Sequence, residues 1–242
     1  MIISFPAIFT SIVTVTLLII ALSLLLLINK YGLKIRYEYI LFMCIVIIGR
    51  LIIPFEWKWT HTILSKKIMP PIYDFFYKKI YDNIPLLYLF LFIWIIGSIY
   101  LMVKYLINMK KMYSLDKNFH NKIDEYKNIF PFLKDGKIKG IFKLDNVQEP
   151  FVTNAFRPTI YLPNIKYTKE ELQFILLHEA QHITNKDLYT KILIQILIIL
   201  YWWFPLIYVL RNIIDYILEL RVDYQVTQNF EEKVKNQYLL AL

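Results

Sequence analysis

The sequence predicts a membrane-embedded α-helical protein with three N-terminal transmembrane helices, a small α+β domain after them, and a helical hairpin dipping into the bilayer within that domain. Three observations carry this reading. Of the 242 residues, 57% are hydrophobic and 17% aromatic, with 5 glycines, which is too apolar for an ordinary soluble domain of this size. Apolar runs recur in the first half at lengths near the roughly 20 helical residues that cross a hydrocarbon core. From Lys137 onward the pattern changes to short β-branched and aromatic runs, followed by a strong helix start.

Ala7–Ile28 is an unbroken apolar run of 22 residues. Residues 1–6 carry no Lys or Arg and no small-residue cleavage pattern follows, so the run is read as a retained span and not a signal peptide. Tyr37–Phe55 is the second span, with Arg50 near one end, and Pro85–Leu106 the third. Arg50 sits close enough to the boundary for its head to reach the headgroups, a structural role. Lys30, Lys34 and Arg36 fill the short loop after the first span, against no basic residue before it, which places the N-terminus outside and the later domain in the cytoplasm. The loop from Glu56 to Asn83 is then external, although its five lysines run against that rule. The expected organisation is a transmembrane region over residues 1–107 and a cytoplasm-facing domain over 108–242, with the hairpin at about 188–210.

The net charge of +9 comes from lysines clustered beside apolar runs, where they anchor against anionic lipid, so direct nucleic acid binding is not expected. The single cysteine, Cys44, excludes an intrachain disulfide and a cysteine-based zinc site. Any metal must be held by histidine and carboxylate.

Ile138–Leu144, Phe151–Thr153 and Thr159–Leu162 read as a small antiparallel sheet. Thr168-Lys169-Glu170-Glu171 has the form of a capping box and starts a helix near Lys169. That helix carries Leu172, Leu176 and Ile183 on one face and His178 with His182 on an adjacent one. Histidines four apart project from the same side and can offer two imidazole nitrogens to one tetrahedral metal, a geometry suited to Zn2+. Glu179 lies about 100° further round, within reach of a proton on water activated by that metal. His178-Glu179-Ala180-Gln181-His182 therefore follows the logic of HExxH metallopeptidases. His61 and His120 have no partner at ligand spacing and are read as ordinary polar residues.

A catalytic zinc takes a third protein ligand and keeps one position open. Asp215, Glu219 and Asp223 recur every four residues; a charged stripe usually marks a solvated face, but apolar Ile213, Ile214, Ile217 and Leu218 flank this one, and Glu219 is taken as the ligand. Between it and the histidines runs Ile192–Leu210, uncharged and long enough to span. A full crossing would put Glu219 on the wrong side of the membrane. Pro205 breaks the run, predicting a hairpin that returns, with Trp202 and Trp203 near its bend. Arg221 and Tyr224 are candidates for stabilising an oxyanion.

The motifs resemble the membrane metallopeptidases of the BlaR and MecR beta-lactam sensor-transducer type. The resemblance rests on Arg50-Leu51-Ile52-Ile53-Pro54, Arg157-Pro158 with Tyr161-Leu162-Pro163, the His178–His182 motif with Asp187 after it, Trp203-Phe204-Pro205, and Glu219 followed by Asp223. It implies a gluzincin site in a bacterial-type cell membrane, with His178, His182 and Glu219 as zinc ligands and Glu179 as base. Asp187 and Asp223 would orient the imidazoles through their other ring nitrogen. It further implies signal transduction in an antibiotic response, by cleavage of the protein itself or of a transcriptional repressor, with the strands around Phe151–Leu162 pairing with an extended peptide.

The chain departs from the family's Trp-Phe-Asn-Pro by lacking the Asn, and carries Val222 where a Cys is common. It stops at Leu242 without a penicillin-binding sensor domain, so a fragment or a short relative is expected, and beta-lactam responsiveness does not follow. A protease of lipidated or signal peptides and a catalytically silent membrane regulator are the competing readings. A transport role is disfavoured by the lack of paired ionisable residues at mid-membrane depth. Oligomeric state, a homodimer included, is left open.

Overall fold

A computed structural model describes residues 5–30, 36–53, 69–81, 84–115, 126–127, 129–130, 133, 136, 138–145 and 147–241. The chain divides into two compact units, Met1–Lys104 with Leu197–Leu210, and Tyr105–Ile196 with Arg211–Leu242. Lys34, most of the loop from Glu56 to Asn83, Pro54, His61 and His120 lie outside the described residues.

In the first unit, helix α1 (Phe5–Lys30) packs on α2 (Tyr37–Ile52). Val15, Ile19 and Leu22 of α1 and Ile40, Cys44, Ile47 and Leu51 of α2 are buried at helical spacing. The hydroxyls of Ser11, Thr16 and Ser23 donate to carbonyls one turn back, at 2.7–2.8 Å, so an apolar helix carries polar side chains without orphaned donors. Helix α3 (Met69–Tyr77) and strand β1 (Lys79–Tyr81) occupy part of the segment expected as an external loop, and β1 pairs antiparallel with β2 (Ile84–Pro85) just after it. Helix α4 (Leu86–Leu115) follows.

Among the described residues, α1 over Ala7–Ile28 and α4 over Leu86–Met112 are long and apolar enough to cross a membrane. No residue of that stretch of α4 is buried, and Phe92, Ile99 and Tyr100 stand bare, a surface that lipid can cover. The second expected span is a helix of only 16 residues. It ends because Ile53, at φ −119°, has left helical geometry, as the residue before a proline tends to.

The second unit opens with strands β3 (Gly140–Leu144), β4 (Phe151–Thr153) and β5 (Thr159–Pro163) in the order β3-β5-β4. The sheet is mixed, correcting the antiparallel expectation: β4 and β5 form an antiparallel hairpin, whereas β3 runs parallel to β5 in the register Ile141 to Ile160. Alternation of apolar residues sets which face is buried and is silent on direction. Here the segment from 145 to 158, with β4 inside it, provides the dozen or so residues a parallel return requires. Ile141, Ile160 and Leu162 join Leu172, Ile175, Leu176 and Ile183 in one core. On the opposite face Tyr161 stacks with Phe142 and Phe151 at 5.8 and 5.2 Å.

Three further helices build the site: α5 (Lys169–Thr184), α6 (Asp187–Leu200) and α7 (Leu206–Thr227), followed by α8 (Glu232–Ala241). The expected capping box starts α5, with Thr168 Oγ1 accepting from the Glu171 amide at 3.2 Å and the Glu171 carboxylate accepting from the Thr168 amide at 2.7 Å. The apolar run Ile192–Leu210 is interrupted between Leu200 and Leu206. Within the first unit, the indole of Trp94 donates to the Leu200 carbonyl at 2.7 Å and the Tyr201 hydroxyl to the Leu51 carbonyl at 2.8 Å. Gly97 admits the Trp202 indole, since a Cβ there would lie 2.5 Å from its ring.

Candidate metal centre

Helix α5 sets two imidazoles on one side, and α7 brings a carboxylate to them. Nε2 of His178 and Nε2 of His182 lie 3.1 Å apart, and Glu219 Oε2 is 3.2 Å from the first and 3.1 Å from the second. His178, His182 and Glu219 form a group that could hold a metal ion. Both histidines and Glu179 are buried. The register of α7 against α5 is fixed by an amide cluster: Gln181 and Asn185 both donate to Oε1 of Gln225, at 3.1 and 2.7 Å.

The outer nitrogens of the imidazoles meet different supports. His182 Nδ1 faces Asp187 Oδ2 at 2.8 Å, and Asp187, 1% exposed, is also held by the Arg221 guanidinium. Helix α5 ends at Thr184, and Lys186, at φ 61°, turns the chain sharply so that Asp187 opens α6 facing back toward the histidine. His178 Nδ1 lies 2.7 Å from the Tyr238 hydroxyl, which donates to Asp223 Oδ1 at 2.8 Å; Asp223 Oδ1 is itself 3.2 Å from the same nitrogen. Asp223 follows Glu219 by four residues, so one face of α7 supplies both carboxylates.

A cavity of about 360 Å³ opens on this group, lined among others by Glu149, Val152, Glu179, Lys191 and Glu219. Burial opposes protonation of His178, but hydrogen bonds with Asp223 and Glu219 outweigh it and lift its pKa to about 9. His182 is raised in the same way, with Asp187 and Glu219 overcoming burial. Burial pushes Glu219 upward, yet the two imidazoles hold its carboxyl well below the usual range. Glu179 is raised, chiefly by burial, which its histidine neighbours only partly counter. The Tyr238 phenol is driven far above its ordinary value by burial and by Asp223.

His178, Glu179, His182, Asp187, Glu219 and Asp223 meet here. Asp215 does not; it is a surface residue 3.6 Å from Arg211 one turn away. Arg221 is committed to Asp187 and Tyr224 is exposed, and neither lines the cavity, so the oxyanion role considered for them has no support in position. Lys191 does line it, 3.8 Å from Glu219 Oε1. Its spacing of four from Asp187 on one helix was a readable signal. Tyr238, sixty positions from His178, had none.

The regulatory protein BlaR1 of Bacillus licheniformis is 28% identical over 94 residues, 38% of this chain and 16% of that protein. The methicillin resistance protein mecR1 of Staphylococcus aureus is 26% identical over 137 residues, 53% of this chain and 23% of its own length, and that of Staphylococcus epidermidis matches equally. The aligned part thus spans under a quarter of each relative. The sequence pattern of the BlaR1 peptidase M56 family matches residues 6–242, and the chain belongs to that family.

Proposed function

We propose that this protein is an integral membrane zinc endopeptidase in which His178, His182 and Glu219 hold Zn2+ and Glu179 is the general base. The observation that carries the proposal is the spacing of the three ligand atoms, 3.1–3.2 Å from one another. Atoms bound at about 2.0–2.1 Å to one tetrahedral zinc stand roughly 3.3 Å apart, so this donor set fits that ion with little adjustment. Bound there, zinc would supply Lewis acidity, which lowers the pKa of water to about 7 and polarises a peptide carbonyl.

The remaining steps fall to the chain's own residues. Glu179, buried beside the cavity with a raised pKa, takes a proton from the attacking water and delivers it to the departing amine. Lys191 lends positive charge to the cavity wall. Asp187, with Asp223, keeps the ligand imidazoles in the tautomer that leaves Nε2 free. An extended peptide pairs along β4, an edge strand whose residues Phe151 and Val152 line the same cavity.

The substrate is the protein itself or a cytosolic regulatory protein such as a repressor, in signal transduction. The N-terminus lies outside, three helices span, and the segment at about 188–210 dips into the bilayer and returns to a cytoplasmic site. The ties of Leu200 to Trp94 and of Tyr201 to Leu51 support that depth. Labelling residues 211–215 from outside the cell would sink the arrangement. Elemental analysis tests the metal: one zinc per chain is expected in the wild type and none in a His178→Ala, His182→Ala variant. A folded wild type without metal would favour a silent regulator.

A further inference from the structure

We infer that Tyr238 is a positioning residue for His178, and that through it the docking of α8 is coupled to metal affinity. The inference rests on the reading of His178, His182 and Glu219 as zinc ligands. Coordination through Nε2 leaves a proton on Nδ1, which needs an acceptor. Two atoms are within reach: Tyr238 Oη at 2.7 Å and Asp223 Oδ1 at 3.2 Å. The shorter contact is the phenol. It accepts from His178 and passes its own hydrogen to Asp223 at 2.8 Å, so the carboxylate also acts on the imidazole through the tyrosine. The Asp223 side chain is 37% exposed and Tyr238 is 0% exposed, which makes the phenol the better shielded of the two partners.

Tyr238 is also what fastens α8. Glu232, Lys233, Asn236 and Gln237 are exposed, and Leu239 and Leu240 point away from the core at 64% and 88% exposure. Among the described side chains of α8, Val234 and Lys235 are half-buried and Tyr238 alone is fully buried, edge-on to Phe174 of α5 at 5.9 Å and near Phe230 at 6.4 Å. A helix of 10 residues with one fully buried side chain among those described sits at the low end of local stability. When a ligand binds better to the docked arrangement, docking and binding strengthen each other by the same factor. Zinc therefore tightens α8, and loosening α8 weakens zinc.

The test uses the full chain in detergent. Zinc affinity is measured by chelator competition for the wild type and Tyr238→Phe, which keeps the ring and removes only the hydroxyl. Backbone hydrogen exchange of residues 232–241 is followed with and without zinc, and the cobalt-substituted spectrum is recorded for both proteins. We expect affinity in Tyr238→Phe to fall about 10-fold or more, the cobalt bands to shift, and exchange at 232–241 in the wild type to slow on adding zinc. A purely structural role would leave the cobalt bands in place. Equal zinc affinities within twofold, or wild-type exchange at 232–241 indifferent to zinc, would overturn the inference while leaving the zinc site standing. A wild type that takes up no zinc would remove both.

Discussion

The two imidazoles proposed as zinc ligands are supported in opposite ways. His182 leans on Asp187, five residues on, almost wholly buried and held in turn by Arg221. His178 leans on Tyr238 and Asp223, from helices sixty and forty-five positions away, the carboxylate in partial contact with solvent. One support is assembled by a tight turn as the chain leaves α5. The other exists only once α7 and α8 have packed. The difference teaches that the two histidines of one proposed metal centre can draw on a local and a distant support, so that removing each should leave a distinct signature.

The largest expected effect falls on the residue that neither support holds. Glu179→Gln leaves both imidazoles and their partners in place and should retain zinc, while peptide hydrolysis drops by about 10²- to 10⁴-fold. Self-cleavage in membranes, read beside elemental analysis, checks this. Hydrolysis that persists at wild-type rate would remove Glu179 from the chemistry.

Next come the carboxylates. Asp187→Asn should lower zinc affinity by about 10- to 100-fold. It also strips Arg221 of its buried partner, costing about 3–5 kcal/mol of stability. Asp223→Asn should weaken zinc by about 10-fold, with little loss of stability, because its side chain is already 37% exposed. Chelator competition and thermal melts on the two variants separate them. If both lost the same affinity and the same stability, the contrast between the supports would fail.

Proton release sharpens the contrast from the His178 side. In protein stripped of metal the folded pKa of His178 is about 9, above its ordinary value of 6.5. A raised folded pKa gives stability that is fully present below the unfolded value and lost as pH rises through the folded one. The stripped protein should therefore lose stability between about pH 6.5 and 9. Zinc binding near pH 7.5 should expel a proton, because the ligand form is neutral. Calorimetry in two buffers of different ionisation enthalpy measures this; identical heats would contradict it.

The local support was legible in the sequence, and the distant one was not. The capping box Thr168–Glu171 fixed where α5 starts, and helical spacing put His178 and His182 side by side, because each signal is complete within a turn of chain. Pro205 correctly warned of a break, of which it is the last residue. Strand direction was misread, because alternation in Ile138–Leu144 says which face is buried and nothing about which neighbour the strand joins. Tyr238 was missed for a related reason: a tyrosine in a short helix carries no mark of the histidine it meets. Resemblance supplied Asp187 and Asp223, and only coordinates could tell which imidazole each serves.

The smallest expected effect tests whether the local support is preformed. Lys186 takes a left-handed conformation, φ 61°, with its side chain exposed. That conformation costs a non-glycine residue about 1–2 kcal/mol, whereas glycine adopts it freely but loses about 0.5–1 kcal/mol through its looser unfolded chain. Lys186→Gly should therefore stabilise the protein by up to about 1 kcal/mol, read as a small rise in melting temperature. Zinc affinity should stay within twofold, because Asp187 is placed by the backbone of the turn and not by the lysine side chain. A variant that melts lower and binds zinc more weakly would show that the turn is held from outside, and His182 would then depend on distant packing as His178 does.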